Sequence, residues 1–242
     1  MSDVVVIDRR YASWEGTAHG GYVAGLAASR VGPNCEVSLR SAAPFDRDLS
    51  VEHGPDGQVE LRDGPTVVVR GAPADVRIDV PALVPYEEAA SHVWDLDKLN
   101  DHPTPYCFCC GHEREEGDGL RVFPAPIKGR SLGHVAAPWV PHPTFANGDG
   151  SLRTEFVWTA LDCPGFWGMA LFLGHMPNVI TIRLASFIEG PVRAGERHVV
   201  LGWPIEHRGR KYVCGSAIYG PSGDLLAAGR ATWLAVRDVP TG

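Results

Sequence analysis

The sequence predicts an α+β protein built from two units, each a helix followed by an antiparallel meander. Three observations carry this. The 28 Gly and 20 Pro are scattered as punctuation between apolar runs, the pattern of many short strands joined by tight turns. Two separate stretches, Glu36 to Ala72 and Val179 to Val236, alternate apolar and polar residues between turn signals, as half-buried antiparallel strands do. Each stretch follows a helix-like segment, and the two helix–meander pairs come in the same order along the chain.

In chain order, the first helix is expected over Thr17–Arg30, stopped by Gly32-Pro33. Seven of the eleven residues in Ala18–Ala28 are Ala or Gly. Gly20, Gly21 and Gly25 should each cost about 1 kcal/mol against Ala in a helix interior. That cost implies close backbone approach, to a sheet that wraps the helix or to a ligand at its N-terminus. The first meander follows as Glu36–Arg40, Asp48–Glu52, Gln58–Leu61 and Thr66–Arg70, with turns at Gly54-Pro55-Asp56-Gly57 and Arg62-Asp63-Gly64-Pro65. Tyr86–Lys98 reads as a short helix, and Pro103-Thr104-Pro105 breaks the chain. This divides the protein into units 1–100 and 101–242. After the break come Cys107-Phe108-Cys109-Cys110-Gly111 and strands at Gly119–Ala125 and Leu132–Pro138. The loop Pro138–Ser151 leads into Arg153–Thr159 and a second helix, Asp162 to Gly174. The last four strands are Val179–Glu189, Arg197–Glu206, Lys211–Tyr219 and Leu225–Ala235. Gly20-Gly21-Tyr22-Val23-Ala24 aligns with Pro164-Gly165-Phe166-Trp167-Gly168, and Pro44–Asp48 with Pro191–Gly195, which reads as a diverged internal repeat.

Composition narrows the function. The chain has 242 residues, 44% apolar and 21% charged, and a net charge of −7. An acidic balance disfavours nucleic-acid binding. No apolar run approaches the ~20 residues of a membrane helix, and the opening residues lack a signal peptide's basic flank and apolar stretch. Six cysteines in so long a chain do not form a disulfide scaffold, so a reduced, cytoplasmic protein is expected.

A long helix wrapped by an antiparallel sheet resembles the hotdog fold, and two such units in one chain a double hotdog. His19-Gly20-Gly21-Tyr22-Val23-Ala24-Gly25-Leu26-Ala27-Ala28 resembles the helix start of hotdog acyl-CoA thioesterases. With Ser38-Leu39-Arg40 and Pro44 following, it is most similar to tandem enzymes of the acyl-CoA thioesterase II type. Cys107-Phe108-Cys109-Cys110-Gly111 with Gly119-Leu120 resembles the Cys-Phe-x-Cys-Gly…Gly-Leu segment of single hotdog thioesterases, and Ala160-Leu161-Asp162-Cys163-Pro164-Gly165 resembles a second helix start. The resemblance implies a hydrolase of acyl-CoA or carrier-bound acyl thioesters that needs no cofactor. It also leaves room for a homodimer of the double-hotdog chain. It makes Asp162 the catalytic acid residue and Thr181, with Asn178 as rival, the group that holds the attacking water. The thioesterase II glutamine on the last strand has no counterpart, so Thr232 or Arg230 would have to replace it. The acid found two turns along other hotdog helices is Ala28 here, and Phe172 in the second unit.

Two other activities stay open beside hydrolysis. One is binding of an acyl-CoA or aromatic ligand without turnover, the other a dehydratase-like reaction. A helix N-terminus suits a developing oxyanion, which gives His19, Gly20, Gly21 and Gly165 a place in substrate binding. Tyr22, Phe166 and Trp167 are candidates to line an apolar pocket. Asp162 could take a proton from water or serve as the N-cap of its own helix. Cys107, Cys109 and Cys110 invite a zinc reading with His102 or His112 as a further ligand. Their Cys-x-Cys-Cys spacing is tight for one tetrahedral centre and Cys35, Cys163 and Cys214 lie far off in sequence, so no metal is expected. Cys163 sits at a helix start, where a thiol's pKa falls, but no histidine adjoins it in sequence. The basic turns Arg208-Gly209-Arg210-Lys211 and Lys128-Gly129-Arg130 could meet CoA phosphates or simply face solvent.

Overall fold

The computed structural model describes residues 3–14, 16–92 and 104–237. Helix α1 spans Gly20–Val31. The strands before the midpoint are β1 (Val4–Val6), β2 (Asn34–Leu39), β3 (Asp48–His53), β4 (Val59–Asp63) and β5 (Thr66–Pro73). A short α2 covers Tyr86–Ser91, and the rest of the helix expected up to Lys98, with His102 and Pro103, lies outside the described residues. The second half holds β6 (Ala125–Pro126), β7 (Val135–Trp139), α3 (Thr154–Ala160), α4 (Cys163–Leu173), β8 (Val179–Ile188), β9 (His198–Arg208), β10 (Lys211–Tyr219) and β11 (Leu225–Ala235). All strands join one antiparallel sheet in the order β1-β3-β4-β5-β2-β8-β11-β10-β9-β7-β6. The halves meet where β2 pairs with β8, Val37 opposite Leu184. Pairing there buries two long edges that would otherwise template aggregation. α1 is covered by β2, β4 and β5, and α4 by β7, β9 and β10, so each half is a sheet wrapped round a helix.

Three local expectations differ. Arg153–Thr159 is itself helical: α3 runs into α4 with a kink at Leu161-Asp162. Gly119–Ala125 forms almost no strand. Its amides turn instead to the cysteine segment, Leu120 N–H donating to Phe108 C=O at 2.8 Å and Val122 N–H to Cys109 C=O at 2.9 Å, and the Trp139 indole N–H donates to Leu120 C=O at 2.8 Å. Two of the three glycines of α1, Gly21 and Gly25, face a helix, while Gly20 meets Thr181 of the sheet strand β8. A Cβ on Gly21 would stand 2.8 Å from Trp158 C=O, and one on Gly25 would overlap the Cα of Glu155. Gly21 and Gly25, four apart, form one side of α1, and α3 lies against it at backbone distance.

The main core fills the space between the sheet and these helices. Tyr11 stacks on Tyr22 at 4.0 Å, with Phe108, Phe145 and Phe156 closing the cluster. A second core on the outer sheet face gathers Val84 and Ala89 against Ile127 and Trp203, so α2 packs on the second half of the sheet. Thr154–Leu173 is long and apolar enough to span a membrane, but most of it is buried inside the protein, which accounts for its apolarity.

Candidate functional site

A cavity of about 480 Å³ opens where the start of α1 meets the α3–α4 kink and β8. Its size lies within the range of small-molecule sites. His19, Gly20, Asp162, Phe166, Trp167 and Thr181, all singled out from the sequence, line it together. The chain brings them from positions as far apart as 19 and 181 because the β2–β8 pairing sets the two helix starts against each other.

Asp162 is 1% exposed. It does not cap α4: its backbone is already helical (φ −86°, ψ −65°) and its side chain makes no bond to that helix's first turn. The alternative reading of Asp162 as the N-cap of its own helix is thus not met. The carboxylate caps α1 instead, Oδ2 accepting the Gly21 N–H at 2.7 Å. Thr181, on β8, donates its hydroxyl to Oδ1 at 3.0 Å. Burial pushes the Asp162 carboxyl up to about 6, while the nearby His19, the Thr181 hydroxyl and the Gly21 amide hold it down. A Cβ on Gly20 would stand 2.8 Å from Thr181 Cβ and 3.4 Å from Asp162 Oδ2, so glycine is what admits this approach.

His19 is also 1% exposed. Its Nε2 lies 3.2 Å from Cys163 Sγ and its Nδ1 3.7 Å from Asp162 Oδ2. Burial works against a charged imidazole here, but Cys107, Cys109 and Asp162 outweigh it and raise its pKa. Cys107 and Cys163 bring their sulfurs to 3.9 Å. Thiol donors from Cys110 and Cys163, with His19 facing it, lower the Cys107 pKa well below the ordinary range. The premise that Cys163 lies apart from the Cys107–Cys110 segment, and that no histidine adjoins it, therefore does not hold in three dimensions.

Other expected residues stand elsewhere. Gly165 faces β10, not the cavity: its N–H donates to Ser216 Oγ at 2.9 Å, and a Cβ there would meet Gly215 C=O at 2.7 Å. Tyr22 belongs to the aromatic core beside Tyr11. Asn178 is exposed, and its carbonyl accepts the Val236 N–H. Neither Thr232 nor Arg230 lines the cavity; their neighbour Trp233 does, stacked on Phe166 at 4.9 Å. The Trp233 indole N–H is buried without a partner. Arg40, after β2, lines the cavity, whereas the basic turns near Lys128 and Arg208 do not.

No family model matches the chain. No curated protein matches it significantly. Solved structures do. A hot dog fold protein of unknown function from Alicyclobacillus acidocaldarius superposes with TM-score 0.61 at 11% identity, over 96% of this chain and 92% of that one. A protein from Novosphingobium aromaticivorans described as a thioesterase gives 0.59 at 16% identity, over 91% and 88%. The tesB protein of Mycobacterium avium subspecies paratuberculosis gives 0.57 at 10% identity, over 90% and 87%. With the eleven-stranded antiparallel sheet wrapped round two helices, these matches show that the chain has the double-hotdog α+β fold.

Proposed function

We propose that the protein hydrolyses acyl thioesters, taking acyl-CoA or a carrier-bound acyl group into this cavity. The observation that carries the reading is the Asp162 carboxylate. It is buried, capped by Gly21 and Thr181, and placed at an apolar cavity beside a helix N-terminus. A carboxylate with a pKa near 6 is a competent base at neutral pH. Asp162 takes a proton from a water held between it and the Thr181 hydroxyl. The water oxygen bonds to the thioester carbonyl carbon. The carbonyl oxygen gains negative charge, which the start of α1 at Gly20 stabilises through its backbone N–H and the helix dipole. Collapse breaks the C–S bond, and the departing thiolate takes the proton back from Asp162. The acyl group lies against Phe166, Trp167 and Trp233. Arg40, which also lines the cavity, would supply the positive charge for a phosphate of the thiol carrier.

The division into units 1–100 and 101–242 belongs to this reading. Residues up to Pro73 build one half of the sheet and residues from Ala125 onward the other, while the boundary itself falls outside the described residues.

The test is turnover of a panel of acyl-CoAs, read by a thiol reagent, for the wild type and Asp162→Asn. Hydrolysis by the wild type that falls by about 10²–10⁴ in the variant supports the base role. A variant as fast as wild type removes Asp162 from the chemistry. A wild type that binds acyl-CoA without turnover makes the protein a binding protein.

A further inference from the structure

The hydrolytic steps leave unused a group of reactive side chains at the cavity wall. Cys107, Cys109, Cys110 and Cys163 are all buried, and with His19 they form one cluster at the cavity wall. Cys163 belongs to two overlapping triads, one with His19 and Cys109 and one with Cys107 and Cys110. In each, the side-chain donor atoms lie within 4.8 Å of one another.

Packing alone does not explain this. Buried thiols behave as small hydrophobes and need no common partner, and Cys35 and Cys214 are buried outside both triads. Here the sulfurs converge on each other and on an imidazole. Tetrahedral zinc with Zn–S bonds of ~2.3 Å requires sulfurs ~3.8 Å apart. Cys107 and Cys163 stand at 3.9 Å. Within the tight Cys-x-Cys-Cys run lies a Cys107-x-x-Cys110 pair, the spacing of a zinc knuckle. Its turn closes through the Gly111 N–H donating to Cys107 C=O at 2.8 Å. Only glycine fits after it, since a Cβ on Gly111 would stand 2.5 Å from the Cys107 nitrogen.

His19 supplies the second, independent observation. Its Nε2 lies 3.2 Å from Cys163 Sγ, the sulfur common to both triads, and its Nδ1 is a fully buried nitrogen without a hydrogen-bond partner, 3.7 Å from Asp162 Oδ2. A metal-bound histidine characteristically presents one ring nitrogen to the ion and the other to a carboxylate, which fixes its tautomer and orientation.

We propose that this cluster binds one thiophilic metal ion of the zinc class, through the thiolates of Cys107, Cys110 and Cys163 and through His19 Nε2. Three thiolates and a neutral imidazole leave the divalent centre with a single net negative charge. A fourth thiolate from Cys109 would add another beside the buried Asp162 carboxylate, at greater electrostatic cost. With four protein ligands the centre is structural. It ties the Cys107–Cys110 turn to the starts of α1 and α4, the two elements that hold His19 and Asp162 at the cavity. The proposal stands apart from the hydrolase reading, because metal content is measured without turnover.

The experiment is metal analysis and Co²⁺ substitution of the full chain, expressed with added zinc. About one zinc per chain should survive dialysis, as four-ligand structural sites retain their metal. Cys163→Ser and the double variant Cys107→Ser/Cys110→Ser should lose it, and Cys35→Ser should keep it. Co²⁺ should give thiolate charge-transfer absorption in the wild type, and His19→Gln should shift that spectrum while leaving the thiolate bands. A chelator should lower the melting temperature of the wild type and leave that of Cys163→Ser unchanged. A wild type that takes up neither ion overturns the proposal. So does zinc retained in Cys163→Ser, or rapid alkylation of Cys163 in the zinc-supplemented protein, which would mark a free nucleophilic thiol. Should the serine variants fail to fold, Co²⁺ titration of the wild type decides by itself: a saturable thiolate band at one equivalent supports the site, and its absence overturns it.

Discussion

Asp162 holds a carboxylate where burial disfavours its charge, and that sets opposing demands of stability and chemistry. Its folded pKa, about 6, lies above the ordinary 3.8, so the folded state holds the proton more tightly than the unfolded chain. Stability from this group is fully present below the ordinary pKa and is lost as pH rises through about 6. At about 1.4 kcal/mol per pH unit, the charged carboxylate costs on the order of 3 kcal/mol above that window. Asp162→Asn, nearly isosteric and still able to accept from Gly21 and Thr181, should therefore melt higher than wild type well above pH 6. The gap should close as pH falls toward the ordinary carboxylate value. Melting curves across that range check the sign, and a variant that melts lower at neutral pH would show that the charged form is stabilised by its neighbours. On the hydrolase reading, the rate of the wild type should rise with pH through an apparent pKa near 6, and Thr181→Val should lower it. At this scale the sequence disclosed the residues that sit at helix starts, because capping chemistry and the hotdog resemblance both mark such positions. It did not disclose which helix Asp162 caps. It also did not disclose that Cys163 meets Cys107, since a 56-residue separation is closed only by the tertiary fold. One hint was present: the alignment that sets Gly20 against Pro164 also sets His19 against Cys163, the pair found 3.2 Å apart.

The glycine-rich α1 shows what an element's sequence can and cannot say. Its composition announced close backbone approach, and the approach is there. The partner was hidden because α3 was not recognised as a helix ahead of α4. Gly25 gives the clearest test. In a free helix, Gly→Ala gains about 1 kcal/mol. Here the added methyl would overlap Glu155 backbone and crowd Trp158 Cβ at 3.0 Å. Helix backbone cannot swing aside as a flexible side chain does, and overpacking typically costs ~1–3 kcal/mol. Gly25→Ala should thus lower the denaturant midpoint, against the direction of helix propensity. An unchanged or raised midpoint would mean that α3 can slide away from α1. The strands needed no such partner to be read: Lys211–Tyr219 and Leu225–Ala235 match β10 and β11 to the residue, because alternation and turn chemistry are local. Gly119–Ala125 failed as a strand for the converse reason, since its amides are satisfied by the cysteine segment, a non-local partner.

At the scale of the whole molecule the two halves share too much to melt apart. The sheet is continuous through β2 and β8, and Glu36 pairs with Arg183 across that junction at 3.4 Å. The main core also crosses it: Val37, Ala24 and Tyr22 from the first half belong to the same cluster as Leu184, Phe156 and Trp158 from the second. Helix α1 has one face on its own strands and another on α3, so removing either half would expose apolar surface on the other. Unfolding should therefore be a single cooperative transition despite the two-unit plan, with calorimetric and van't Hoff enthalpies in agreement. Leu184 tests the coupling. It is fully buried on β8 opposite Val37, and Leu184→Ala should cost ~2–5 kcal/mol through lost burial and the cavity left behind. If the halves are one unit, that cost reaches both: amide exchange through global opening should accelerate equally in β4 and in β10, although neither strand touches residue 184 by pairing. Protection lost only in the second half, or a melt resolving into two steps, would show that the halves fold independently and that the β2–β8 junction merely docks them.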